Sequence, residues 1–72
     1  MENGFTARYA AIRRALELRG WQYRTLAGQT GYSEAAIKAY MARLRKGKAG
    51  SKTVGQAIER ALGGVINKEE RA

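Results

Sequence analysis

The chain has 72 residues, no cysteine and no histidine, and its 14 lysines and arginines stand against 6 acids for a formal net charge of +8. That length supports one domain with one modest core. Without cysteine or histidine, disulfides and the usual zinc constellations are excluded, which leaves oligomerisation as the natural source of extra stability.

From the amino end, Met1 to Gly4 makes no structural commitment, and Thr6 is positioned to cap a first helix. Phe5, Tyr9, Ile12 and Leu16 then recur at helical spacing as one apolar stripe, and Gly20 is placed to end the helix in the left-handed conformation. Arg8, Arg13, Arg14 and Arg19 fall largely off that stripe and read as a solvated face rather than a binding one. Trp21, beside the glycine, reads as a core anchor. Gln22 stands where Ser, Thr or Asp would cap a second helix, so that helix N-terminus is expected to be open to a phosphate.

The second helix is expected over Tyr23 to Thr30, with Gly28 in its interior at a cost of about 1 kcal/mol relative to alanine. Tertiary packing must therefore hold it. The chain then has to reverse within a few residues, and Gly31 can take the positive φ that such a turn favours, while Ala27 is small enough for two helices to cross closely. Tyr32 and Ile37 are expected to plug the space between them, and Ser33 to cap the third helix. That helix is expected from Ser33 to Lys46, with Ile37, Tyr40, Met41 and Leu44 turned inward. Glu34, Ala35, Lys38, Ala39, Ala42 and Arg45 lie on its remaining surface. Small alanines there would let the backbone approach base edges; they are equally ordinary helix formers.

Charge is concentrated on this region. Between Tyr23 and Lys52 there are seven basic residues and one acid, Glu34, so the segment carries +6 of the +8. Arg24, Lys38, Arg43, Arg45, Lys46, Lys48 and Lys52 supply it, as a phosphate-binding surface would require, because neutralised phosphates release condensed counterions. A solvated, solubilising face is the plainer alternative. The stretch from Lys46 to Lys52 is composed like a flexible linker that follows phosphates, or a solvated connection. Ser51 or Thr53 can cap a fourth helix carrying Val54, Ile58 and Leu62, with Ala57 and Ala61 on the same side, ended by Gly63 and Gly64. Val65 and Ile66 follow. Together with Val54, Ile58 and Leu62 they are expected to form a dimer interface, or else to close the chain's own core against Leu16 and Trp21.

These readings define an all-α fold, a small bundle of four to five helices in a single domain over residues 1–72. It contains a helix-turn-helix, and residues 63–72 form its tail or dimerisation segment. The segment LAGQTGYSEAAIKAYMARL resembles the helix-turn-helix of phage repressors of the Cro and C1 type. Ala27 stands at the small fifth place, Gly31 at the ninth place in the turn and Ile37 at the buried fifteenth. A more local likeness runs through GYSEAAIKAYMARLRKGKAGSKTVGQAIERAL to the anti-CRISPR-associated proteins, small phage-encoded autorepressors. It is carried by Gly31, Ser33, Tyr40, Gly47 and the pattern of Thr53, Val54, Ala57 and Glu59. The sequence departs from the Cro and C1 pattern in having Tyr23 and Glu34 where glutamine is usual.

The resemblance implies a homodimer that binds inverted repeats in a promoter and represses its own operon. It implies base reading at the start of the recognition helix by Glu34, Ala35 and Lys38, with Ala39 on the same surface, and backbone contact by Tyr23 and Arg24. The wider set of backbone contacts expected from charge and capping adds Gln22, Ser33, Arg43, Arg45, Lys46, Lys48 and Lys52. Catalysis is not expected. No nucleophile-base pair, metal set or phosphate-cradling loop can be assembled, and no cofactor or small-molecule substrate is implied. The leading expectation is a cytoplasmic, sequence-specific repressor on double-stranded DNA. An antitoxin or a DNA-bending excision factor is the alternative, followed by an RNA-binding module, which lacks the usual aromatic sheet platform. The mixed charge argues against a membrane role.

Overall fold

A computed structural model describes residues 4–63. Within them the chain forms four helices and no strand: α1 (Gly4–Arg19), α2 (Tyr23–Thr30), α3 (Glu34–Arg45) and α4 (Lys52–Ala61). The helix α3 is the hub, packing against each of the other three, while α2 also packs on α4. No helix among the described residues is long and apolar enough to cross a membrane.

Every helix contributes to one core. Ile12, Ala15 and Leu16 come from α1, Leu26 and Ala27 from α2, and Ile37, Tyr40, Met41 and Leu44 from α3. Val54 and Ile58 of α4, with Leu62 just beyond it, close the far side. Ile37, Leu26, Ile58 and Leu62 have no exposed surface; burying a side chain of this kind stabilises a fold by roughly 1.5 to 3 kcal/mol. Trp21 packs half-buried against the cluster as a cover rather than at its centre.

Three local expectations are corrected. The first helix spans Gly4–Arg19, so Thr6 lies inside it and not at its N-cap. Phe5 and Tyr32 are 41 % and 38 % exposed and stand outside the core, whereas Ile37 is fully buried in it beside Leu26 and Ala27 of α2. Val54, Ile58 and Leu62 are at most 6 % exposed within this single chain, so their side chains are consumed by its own core and are not available to a second copy. Val65 and Ile66 fall outside the described residues.

Two arginines read as solvated instead lash α1 to α4. Arg8 pairs with Glu59 at 3.4 Å. At the other end of α1, Arg19 donates through Nη2 to the Leu62 carbonyl at 3.1 Å and lies 5.7 Å from the Trp21 ring. Because α3 packs against both, α4 lies near enough to α1 for these long side chains to bridge the gap.

Candidate nucleic-acid interface

The turn between α2 and α3 spans Gly31, Tyr32 and Ser33, and each reason for it is local. Gly31 has φ +83°, a left-handed conformation that other L residues adopt only with strain, and its N–H donates to the Ala27 carbonyl at 2.9 Å. The Thr30 hydroxyl donates to the same carbonyl at 3.0 Å and accepts from the Tyr32 N–H at 3.3 Å. Ser33 then caps α3, its Oγ accepting from the Ala36 N–H at 3.1 Å.

With its start fixed, α3 has one orientation. Ile37, Tyr40, Met41 and Leu44 face the core, and at about 100° per residue the opposite direction falls on Ala35, Ala39 and Ala42, all exposed. Lys38 and Arg45 border this alanine strip on one side and Arg43 on the other. The helix has 12 residues, a length of about 18 Å at 1.5 Å per residue. Glu34 lies in the first turn, where a carboxylate is favoured by the helix dipole by about 0.3 to 1 kcal/mol. It pairs with Lys38 one turn later at 3.4 Å. An exposed pair of this type is worth about 0.3 to 0.5 kcal/mol, so Lys38 is released from it at little cost.

The flanks supply uncompensated charge. Arg24, Arg45, Lys46, Lys48 and Lys52 are exposed and form no ion pair with a described residue. Gln22 occupies the N-cap of α2 with extended backbone and no side-chain hydrogen bond, as its residue type suggests. The N-terminus of α2 therefore keeps unpaired N–H groups and a partial positive charge. Tyr23 beside it is half-buried and engages Arg13, whose guanidinium carbon lies 5.6 Å from the ring centroid. Hydrogen bonding to Tyr23 and charge interaction with it push the Arg13 pKa above its ordinary value, so this side chain stays cationic. Arg13 is thus a cation at the start of α2 that the sequence offers no means of finding, since only the fold, with α1 and α2 both packed on α3, puts the two residues together.

One site expectation changes, the flexible linker, and Arg43 takes on a second part. Arg43 is exposed, and its Nε donates to the Ala49 carbonyl at 2.8 Å, so it also holds the loop after α3. The loop itself is fastened: Lys48 N–H donates to the Arg43 carbonyl at 2.9 Å, and Gly47 N–H to that of Leu44 at 2.9 Å. Lys46, Lys48 and Lys52 therefore project from a clamped connection rather than from a flexible linker.

Taken together, the surface offers a strip of small methyl-bearing side chains bordered by donors that are all cationic. That is complementary to a polyanion with recessed polar edges. Comparison with known proteins returns nothing: no family model matches the chain, and no curated protein and no solved structure matches it significantly.

Proposed function

We propose that this chain is a sequence-specific, double-stranded DNA-binding protein in which α2, the Gly31 turn and α3 act as a helix-turn-helix, and that it serves as a transcriptional repressor. The observation that carries the reading is the outward face of α3. Alanines at 35, 39 and 42 leave the helix thin enough to enter a major groove, and Lys38 stands at the edge of the strip where guanine O6 and N7 would be met. Helix propensity accounts for alanines one at a time; the reading rests on three of them sharing one face with cations at its border.

Around this face, Arg24 and the open N-terminus of α2 would hold one phosphate strand, joined by Arg13 beside Tyr23. Arg45, Lys46, Lys48 and Lys52 would hold the backbone beyond the other end of α3. Ser33 has its Oγ lone pair committed to the Ala36 N–H and keeps its hydroxyl hydrogen for a phosphate oxygen. Two copies on an inverted repeat would set their α3 helices about 34 Å apart, in successive major grooves. With Val54, Ile58 and Leu62 occupied in the core, the contact between copies would be made by other surface or by residues beyond Gly63.

Selection from a pool of random duplexes tests the reading. The expected product is an enriched pair of inverted half-sites bound at two chains per duplex, at least about a thousandfold tighter than scrambled DNA. A pool that remains random after repeated rounds, with equal affinity for every duplex, would remove the repressor reading.

A further inference from the structure

An open groove of about 440 Å³ lies between the amino end of α1, the inner side of α3 and the start of α4. It is separate from the outward face of α3. Its floor contains an anomaly. Tyr40 is 95 % buried by its 5 % residual exposure, and its ring runs between Gly50 and Gly55. A methyl group on either glycine would collide with it, at 2.7 Å from Cε1 for Gly50 and 2.7 Å from the hydroxyl oxygen for Gly55. The hydroxyl has no hydrogen-bond partner among the described residues, yet it is not sealed away, since no buried side-chain oxygen is left unpaired. It opens on the groove that Tyr40 and Gly55 both line. A tyrosine used only for packing could have been a phenylalanine here at no loss of hydrogen bonding.

The rim explains what the hydroxyl awaits. Ser51 and Lys52 line the groove and place the N-terminus of α4 at its edge. Ser51 satisfies the Val54 N–H through its Oγ and the Gly55 N–H through its carbonyl, while the N–H groups of Lys52 and Thr53 have no acceptor among the described residues. Arg8 pairs with Glu59 and Lys52 adds a second cation, so among the described residues the lining carries two positive charges and one negative. Phe5 and Leu44 supply apolar wall on the other side. The volume falls in the range of small-molecule pockets, roughly 300 to 1,000 Å³.

We infer that this groove binds a small monocarboxylate with an apolar body of about aromatic-ring size, its carboxylate accepting from the Tyr40 hydroxyl and the N-terminus of α4 and its body resting against Phe5 and Leu44. The single excess positive charge among the described lining residues matches a monoanion. The apolar wall distinguishes such a molecule from inorganic phosphate. Because Tyr40 and Leu44 also belong to α3, an occupant bears directly on the helix whose other face carries the alanine strip. The inference does not depend on DNA binding, and its test contains no DNA.

Amide resonances of the isotopically labelled full chain would be followed during titration with phenylacetate, phenylacetamide and inorganic phosphate. Phenylacetate should give saturable shifts centred on Lys52 and Thr53, with phenylacetamide at least about fivefold weaker and phosphate not saturating. Tyr40→Phe keeps the ring and leaves no protein partner unpaired, so it should fold unchanged and bind phenylacetate about tenfold less tightly. Lys52→Gln, on the surface, should also weaken it. Absence of saturation with phenylacetate, equal binding of phenylacetamide, equal binding of phosphate, or full affinity in Tyr40→Phe would each overturn the inference.

Discussion

Both ends of α3 are bounded by the same two devices, a left-handed glycine and a serine that caps the next helix. Gly31 and Ser33 precede α3, and Gly47, with φ +80°, and Ser51 follow it. The surroundings differ. The first turn is secured by its own backbone and by Thr30, and a methyl group on Gly31 or Gly28 would meet nothing within 4 Å. The second connection is pressed onto the core, with Arg43 gripping Ala49 and Gly50 lying against the Tyr40 ring. Backbone conformation thus requires glycine at Gly31 before α3 and at Gly47 after it, while space requires it at Gly50. The tightly fastened side also carries three of the lysines, so their charges are presented from a fixed support.

Substitution of these glycines separates the two requirements, in decreasing order of effect. Gly50→Ala drives a methyl into a buried ring held between Gly50 and Gly55, so it should cost about 2 to 3 kcal/mol and lower the melting temperature by roughly 10 °C or more. An unchanged melting curve would mean that Tyr40 is not clamped. Gly31→Ala meets no atom but must hold positive φ, and about 1 kcal/mol of destabilisation is expected in the same thermal or denaturant melts. Gly28→Ala should act in the opposite sense. It lies inside α2 with helical backbone and open space around it, so alanine should stabilise by about 0.5 to 1 kcal/mol. A loss there would show that α2 needs a bare backbone for a contact outside this chain.

The same contrast explains what could be read in the sequence. Gly20, Gly31, Ser33 and Ser51 act on neighbours within a few residues, and each performs the part its residue type suggests. The inward set of α3 was legible for a similar reason, since helical spacing alone puts Ile37, Tyr40, Met41 and Leu44 on one side. What escaped depends on partners distant in the chain. Arg8 meets Glu59, Arg19 meets Leu62, Arg13 meets Tyr23 and Tyr40 meets Gly55 only once the helices are packed. Val54, Ile58 and Leu62 show the limit most clearly: an amphipathic stripe states that a face is to be buried, not against what. At the candidate site, the exposure of Ala35, Lys38 and Ala39 followed from periodicity, whereas the commitment of Arg43 to Ala49 required the loop to be closed.

The central claim is that the outer face of α3 reads sequence while the lysines after it only hold the backbone. Its most direct test is the ratio of dissociation constants for a selected duplex and a scrambled duplex of equal composition, at one fixed salt concentration, in the parent chain, Lys38→Ala and Lys48→Ala. Lys48→Ala should weaken both duplexes by the same factor and leave the ratio intact, also lowering the salt slope by about one unit. Lys38→Ala should lose about 1 to 3 kcal/mol on the selected duplex alone, reducing the ratio roughly five- to 150-fold. A parent ratio near one, or equal losses on both duplexes in the two variants, would contradict the account.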